Sequence, residues 1–272
     1  MTMPMNGSRR RFLATSAGLL AGGAVSSLAS AIGPSSLFRM ALLSLPGGPG
    51  DVRPGATARL VWEVLKRTSI DADMAAPTVQ VDDPALFEHP FVVLFGDSAF
   101  RQPSDASVER LRRYLTSGGF LLVDSLGSGT GTGGFDGSFR TLADRIFPET
   151  PLSTVPREHA VYRSFYLLDR PYGRVQATSQ LLSVDRDDRS MVIYSQNDLP
   201  GAWSRDSLGG WLYPMSHGGE REREMSFRLG VNLVMYSLTL NYKRDQVHVK
   251  HLLKKYRSRG GVLPPLPIGG RR

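Results

Sequence analysis

Short apolar runs alternate with helical repeats along this chain, and the alternation predicts its architecture. Three runs of consecutive apolar residues resemble strands buried on both faces of a parallel sheet, and a shorter strand-like segment lies between the first two. They occupy residues 38–45, 78–81, 91–95 and 120–123. Over 57–68 and 104–117 apolar residues recur at helical spacing, which predicts two helices. We therefore expect an α/β domain with a mainly parallel sheet.

The second half of the chain adds further elements. Residues 138–147 are expected to form a helix, and residues 181–194 have the alternation and the central turn of a β-hairpin. Between Met225 and Leu240 apolar residues cover almost the whole helical circumference, which predicts a buried helix. Residues 249–257 place apolar side chains on one stripe and Lys or Arg on the other. Such a helix docks on its own domain, an acidic partner or an anionic membrane.

The net charge of +8 belongs to the two ends of the chain. Residues 1–31 contain three Arg and no acid, and residues 242–272 contain nine Lys or Arg against a single Asp. The remaining residues, 32–241, carry 21 basic and 24 acidic side chains. Because a nucleic-acid-binding domain carries a basic face on its folded body, we expect no nucleic-acid partner. The Pro- and Gly-rich end of the tail is expected to be disordered.

Composition also limits the chemistry of the protein. The chain has no cysteine, which excludes disulfides, thiolate metal sites, iron–sulfur clusters and a Cys nucleophile. Its five histidines are scattered, and only His248 and His251 are close in sequence, so we expect neither a metal site nor a cofactor. Gly129, Gly131 and Gly134 match the dinucleotide pattern, but they follow the preceding strand too distantly for its tight turn. A loop at the rim of a cleft is the expected structure there.

The first thirty-one residues resemble a twin-arginine export signal. Ser8-Arg9-Arg10-Arg11-Phe12-Leu13 matches the pattern S-R-R-x-F-L, and a weakly apolar stretch follows. Ala29-Ser30-Ala31 then has the small residues of a cleavage site. The sequence therefore predicts export to the periplasm with cleavage after Ala31, or retention at the inner membrane if the signal is uncleaved.

Eight phrases of the chain together resemble a bacterial family, domain of unknown function 4159. They are DDPALFEHPFVVLFG (82–96), LRRYLTSGGFLLVDS (111–125), FDGSFR (135–140), FP (147–148), HAVYRSFY (159–166), VIYSQNDLPGAW (192–203), LGVNLVMYSL (229–238) and DQVHVKHLLKK (245–255). The resemblance implies a fold similar to class I glutamine amidotransferases, which is flavodoxin-like, and an envelope setting. It also implies partners among envelope proteins that are associated with MoxR-type ATPases and von Willebrand factor A proteins. Relatives often show Gly-His where this chain has Gly96-Asp97, so a function that needs that His is not expected here.

Polar residues at the predicted strand ends are the first candidate site. Ligands of open α/β sheets bind outside the carboxyl ends of the strands, where short polar residues also cap turns. Candidates for such a cleft are Asp97, Ser98, Asp124, Ser125, Asp136, Arg140, His159 and Asp198. An amidotransferase would need a Cys nucleophile after 120–123, and Ser125 lacks the Gly two positions earlier that a nucleophile elbow requires. Glutaminase chemistry is therefore excluded.

A second hypothesis is that the protein is a Ser-dependent ester hydrolase of the Ser-Gly-Asn-His type. Gly96-Asp97-Ser98 follows a strand, as the Ser block of that family does, and Ser195-Gln196-Asn197-Asp198 resembles its Asn block. Asp245-x-x-His248 matches the terminal block. In this reading Ser98 attacks the ester, His248 is the base, Asp245 orients it and Asn197 holds the oxyanion. The order of the elements argues against this hypothesis. The Ser block of that family lies on the first strand, whereas here a strand, a helix and another strand precede it.

The sequence thus favours a signal at 1–31, one α/β domain at 32–241 and a basic segment at 242–272. We expect a binding or accessory protein of the cell envelope without catalysis, with the ester hydrolase as the alternative. Trp203, Trp211 and Tyr213 form an aromatic-bearing segment that suits either core packing or stacking on a sugar or peptide.

Overall fold

The computed structural model describes residues 37–127 and 133–257, with side chains up to residue 239. The predicted export signal, Gly129, Gly131, and the side chains of Asp245, His248 and His251 lie outside the described residues. Gly134, the third glycine of the dinucleotide pattern, is the first residue of a helix.

Seven strands form one mixed sheet, which confirms the predicted α/β class. They are β1 (Met40–Ser44), β2 (Thr78–Gln80), β3 (Phe91–Phe95), β4 (Phe120–Asp124), β5 (Ser153–Thr154), β6 (Leu182–Arg186) and β7 (Arg189–Ser195). Their order is β2-β1-β3-β4-β7-β6-β5, and every pair from β2 to β7 is parallel. The last two pairings are antiparallel, so β6 and β7 form the predicted hairpin.

Within residues 37–127 and 133–257, five α-helices flank the sheet. They are α1 (Ala56–Arg67), α2 (Asp105–Thr116), α3 (Gly134–Ile146), α4 (Leu199–Trp203) and α5 (Gly219–Arg257). Short 3-10 helices span Pro84–Glu88 and Ala160–Tyr162. The Ser104 side chain accepts a hydrogen bond from the backbone N–H of Ser107, which confirms the predicted cap of α2.

The structure differs from the predicted elements in three places. The helix α3 starts four residues before the predicted residue 138, and the short elements β5 and α4 were not predicted. The predicted buried helix and the basic segment are one continuous helix, so the boundary at 241/242 falls inside α5. No Gly or Pro interrupts residues 231–257, and the backbone therefore has no local reason to break there. None of the helices in the described part of the chain is long and apolar enough to span a membrane.

Alternate residues of the parallel strands point to two separate cores. On one face Phe91, Val93 and Phe95 pack with α1, α4 and α5, and on the other Val92 and Leu94 pack with α2 and α3. Because these strands are buried on both faces, their sequences are uninterrupted apolar runs.

Register places the polar strand ends together. Phe95 of β3 pairs with Asp124 of β4, and Asp124 pairs with Ser195 of β7. The segments that follow these three strands therefore leave the sheet at one edge, which we call the carboxyl edge.

Candidate functional site

Asp124 is the central polar group of the carboxyl edge. It is the last residue of β4 and is fully buried. Its Oδ1 accepts hydrogen bonds from the backbone N–H of Leu126 at 2.7 Å and of Asp198 at 3.0 Å, and its Oδ2 accepts from Leu199 N at 3.0 Å. Burial raises the pKa of Asp124 to about 7, and the nearby Asp198 charge adds to the rise. The carboxylate thus ties the end of β4 to the start of α4.

Asp198 lies beside Asp124 and is neutralised by two arginines. Arg53 donates from Nε and from one terminal nitrogen to the two oxygens of Asp198, each at 2.9 Å, and Arg174 Nε donates to Oδ2. The Asp198 side chain has no exposed surface, and it also accepts from Gly201 N at 2.9 Å as the cap of α4. Its backbone is left-handed, with φ of 52°. A charge buried this deeply requires such pairing.

Asp136, on the first turn of α3, is the third buried acid of this edge. Its Oδ1 accepts from the hydroxyl of Tyr194 at 2.6 Å and from Gln196 Nε2 at 3.1 Å. Its Oδ2 accepts from Arg140 Nε at 2.9 Å. Burial, followed by the hydrogen bond to Asp136, raises the pKa of Tyr194. The predicted residues Asp136 and Arg140 therefore form an ion pair within α3, and the hydrogen bond from Tyr194 to Asp136 joins this helix to β7.

The segment after β3 is the accessible part of the edge. Asp97 and Ser98 are exposed, whereas Ser125 after β4 is fully buried and donates its backbone N–H to Ser195 O. A Cβ on Gly96 would overlap the ring of Phe135, so a small residue is required there for packing. The glycine of the Gly-Asp-Ser block therefore has a structural explanation independent of catalysis.

His159 is not brought to the carboxyl edge. Its Nε2 lies 3.1 Å from the hydroxyl of Ser190, which is at the opposite end of β7, and its Nδ1 accepts from Val161 N. The ring also packs 5.2 Å from that of Tyr236, measured between centroids. Burial lowers the pKa of His159, so the neutral ring is favoured in the folded protein. His159 serves as the cap of a 3-10 helix, away from the predicted cleft.

The hydrolase residues are only partly described. Asn197 is 1% exposed, its Oδ1 accepts from Thr178 N at 2.9 Å, and its Nδ2 donates to Thr178 O at 2.8 Å. The amide that was assigned to the oxyanion is thus engaged by the loop before β6. The side chains of Asp245 and His248 lie outside the described residues, so the distance from Ser98 to His248 remains untested.

Sequence reasoning missed Arg53 and Arg174, which pair with Asp198, and Tyr194, which donates to Asp136. Arg53 belongs to the Pro- and Gly-rich loop after β1, and Arg174 belongs to an irregular segment before β6. The only sequence signal for Arg53 was its position after a strand end, since β1 shares the carboxyl edge with β3.

The aromatic segment divides between core and surface. Trp203 is fully buried and stacks on Phe227 at 6.4 Å, as core packing predicts. Trp211 and Tyr213 remain partly exposed beneath arginines.

A cavity of about 190 Å³ lies beside β5, with Arg157, Tyr162, Asp169 and Arg170 among its polar lining. In the described part of the chain, no group of three or more His, Asp or Glu side chains is placed to hold a metal ion.

Comparison with known proteins supplies a family without an assigned reaction. A family model described as a domain of unknown function, DUF4159, matches residues 39–238, which include the whole sheet and all of the buried acids described above. No curated protein matches the chain. By the extent of this match, the chain belongs to the DUF4159 family.

Proposed function

We propose that this chain is a non-catalytic binding or accessory component of a cell-envelope complex. One observation carries the proposal: the buried carboxylates at the carboxyl edge are engaged by donors of the protein itself. Asp124 holds backbone amides, Asp198 holds two arginines and Asp136 holds a tyrosine, a glutamine and an arginine. An acid that acts in proton transfer must reach its substrate, and these three groups are fully or nearly fully buried.

The turn after β4 supports the absence of amidotransferase chemistry. A nucleophile elbow places its nucleophile on a strained turn directly after a strand. Here the left-handed position of that turn, with φ of 57°, is Leu126, which is 5% exposed and has no nucleophilic atom. The strand order β2-β1-β3-β4 agrees with a flavodoxin-like sheet, and a class I amidotransferase-like fold is part of the proposal.

The setting of the proposal comes from the sequence. The twin-arginine pattern at Arg9 and Arg10 supports export to the periplasm, and the family resemblance supports partners of the MoxR-type ATPase and von Willebrand factor A classes. The basic residues of 242–272 support peripheral contact with an anionic membrane or an acidic partner.

The ester hydrolase is the second candidate. The exposure of Ser98 at the carboxyl edge favours it, because a nucleophile must be accessible. The engagement of the Asn197 amide by Thr178 opposes it, since the amide oxygen and one N–H of the amide nitrogen are already used in hydrogen bonds to the loop before β6.

A fluorophosphonate probe separates the two functions. We expect the folded mature protein to remain unlabelled, and Ser98→Ala and His248→Ala to be indistinguishable from it. Labelling that both substitutions abolish would overturn the proposal and establish an activated serine. Affinity isolation of envelope proteins on the mature chain, beside a chain that ends before residue 242, then tests the accessory role and the part that the tail plays in it.

A further inference from the structure

A short, well-braced hairpin lies next to the carboxyl edge, and we call residues 205–211 the Leu208 hairpin. Arg205 and Trp211 form an isolated antiparallel bridge at its base. Asp206 Oδ1 accepts from Leu208 N at 2.9 Å and from Gly210 N at 2.7 Å, and Asp206 N donates to Gly210 O. The turn is thus held by its own hydrogen bonds, and the Asp206 carboxylate is occupied within it.

The base of the hairpin is fixed to α5 through Trp211. The guanidinium carbon of Arg205 lies 3.8 Å from the centroid of the Trp211 ring, and that of Arg223 lies 4.2 Å from it. Arg223 is 2% exposed and donates to Ala202 O and Tyr213 O, so it is anchored on both sides of the hairpin. Trp211 also packs on Phe227 at 6.0 Å. A turn anchored this firmly presents its tip in one orientation.

That tip is apolar. Leu208 is 95% exposed, and Leu212 immediately after the hairpin is 40% exposed. A solvated turn has no need of leucine, because polar residues and glycine satisfy its geometry without exposing hydrocarbon. Burial of the Leu208 side chain in a complementary pocket would stabilise a complex.

Positive charge lies beside this leucine. Among the described residues, no carboxylate lies within ion-pair distance of the Arg205 guanidinium, whose buried Nε has no hydrogen-bond partner. Arg205 O lies 3.6 Å from where a Cβ of Gly55 would stand, which places the hairpin against the start of α1. Burial lowers the pKa of Arg59 on α1. The charge of Glu63 opposes this effect, and the charge of Arg205 lowers the pKa of Arg59 further. Glu63 is shared between Arg59 and Arg67, which leaves Arg205 as the charge available to a partner.

We propose that the Leu208 hairpin is the docking element for a protein partner with an apolar pocket whose rim carries carboxylates. Leu208 enters the pocket, and Arg205 pairs with an acidic group of the rim. Arginine and tryptophan are enriched at the centres of protein interfaces, and here they form the base of the docking element. This inference rests on the proposed function, because it names the surface by which the accessory protein engages its complex.

The test compares matched exposed residues on the full mature chain. The variants Leu208→Ser and Arg205→Gln remove the apolar side chain and the charge, and Leu167→Ser, at 84% exposure, and the exposed Arg163→Gln are controls on another loop. Envelope proteins retained by the wild-type chain are identified, the partner is purified, and its Kd is measured for all five proteins. We expect both hairpin variants to weaken the Kd by about tenfold or more and both controls to leave it unchanged. Crosslinks from position 208 should map to an apolar pocket beside Asp or Glu.

The outcomes separate this inference from the proposed function. If the partner binds Leu208→Ser and Arg205→Gln as tightly as it binds the wild type, the docking element is wrong and the accessory role stands. If the wild-type chain retains no specific partner, both are wrong. Loss of self-association in Leu208→Ser, measured by sedimentation, would assign the hairpin to a second copy of this chain. Loss of binding to phosphatidylglycerol vesicles in Leu208→Ser would assign it to the membrane, and either result would overturn the inference.

Discussion

Asp198 and Arg53 are 145 positions apart in the sequence, and their side chains meet through two hydrogen bonds of 2.9 Å each. The pair joins the loop after β1 to the cap of α4 across the carboxyl edge. Because the Asp198 side chain is fully buried, the two arginines on it are the groups that make its charge tolerable.

Asp198→Ala should destabilise the fold by about 3–5 kcal/mol, since it leaves Arg53 and Arg174 in a partly buried site without their counter-charge. It also removes the cap of α4 and places alanine at a positive φ. Asp198→Asn is the matched control, because asparagine tolerates the left-handed conformation and retains an acceptor for Gly201. Asp198→Asn also removes the counter-charge of the two arginines, so we expect it to show most of the same loss in the free energy of unfolding, measured by denaturant titration. A clearly smaller loss than in Asp198→Ala would show that the cap and the backbone conformation, and not charge pairing, are the dominant contribution.

Asp124 should give the protein a stability that depends on pH. Its pKa is about 7 in the folded protein and 3.8 ordinarily, so the folded state binds more protons between these values. The contribution of this group is therefore complete below pH 4 and is lost as the pH rises through 7, with a slope of about 1 kcal/mol per pH unit at most. Asp124→Asn cannot titrate, and its difference from wild type in unfolding free energy should change with this sign between pH 4 and pH 8.

The same substitution should also cost stability at low pH. The protonated carboxyl of Asp124 keeps acceptor capacity on both of its oxygens, which lie within hydrogen-bond distance of backbone N–H groups. An asparagine presents one oxygen and one NH₂ group, and the NH₂ group does not accept a hydrogen bond. At least one buried amide then loses its acceptor, which costs about 1–3 kcal/mol. An Asp124→Asn protein as stable as wild type at pH 4, with an unchanged pH dependence, would contradict both parts of this prediction.

His159 should act in the opposite direction. Burial lowers its pKa below 6.5, so the unfolded state binds more protons, and the contribution of this group is lost as the pH falls below 6.5. Protonation also removes the Nδ1 acceptor that caps the 3-10 helix at Val161 N. An NMR titration of the His159 ring should give a pKa below that of the same residue in urea-unfolded protein. A higher value in the folded state would contradict the assignment.

Gly96→Ala tests the packing explanation of the Gly-Asp-Ser block. The new Cβ would overlap the Phe135 ring, and overpacking of this kind costs about 1–3 kcal/mol. Since the backbone of Gly96 is not in the left-handed region, steric overlap is the only expected cost. A smaller side chain in Phe135→Leu should recover part of the loss, so the double-mutant cycle should show coupling. Additive effects would mean that Gly96 is required for another reason.

The longer strands and helices of the fold were predictable because each depends on a local period, whereas the short elements β5 and α4 were not predicted. The runs at 91–95 and 120–123 are apolar throughout because both faces of β3 and β4 are covered, and Ser104 caps α2 by a hydrogen bond within one turn. The hairpin of β6 and β7 follows from alternation around a polar turn in the same way.

The partners within the site were not predictable because they depend on strand order. Asp124 was recognised as a strand-end acid and Asp198 as a residue of the cleft, but Arg53 reaches Asp198 only because β1 lies beside β3 at the same edge. His159 was assigned to the cleft although β7 carries Ser190 and Ser195 at opposite ends, and only the register shows which end His159 meets. Sequence spacing contains neither relationship.

Asn232 gives the last prediction, for the loop that leads from the 3-10 helix toward Arg170. Its Oδ1 accepts from Phe165 N and Tyr166 N, and its Nδ2 donates to Val161 O and Tyr166 O. One buried amide of α5 thus satisfies four backbone groups of a segment without regular structure.

Asn232→Ala should therefore lower the free energy of unfolding by about 2 kcal/mol or more and speed amide hydrogen exchange at residues 161–168. Asn232→Leu keeps nearly the same size but neither donates nor accepts a hydrogen bond, so exchange at these residues should be about as fast as in Asn232→Ala. Exchange close to wild type in Asn232→Leu would mean that packing, and not this amide, holds the loop. The comparison separates the two causes because leucine has nearly the same size as asparagine.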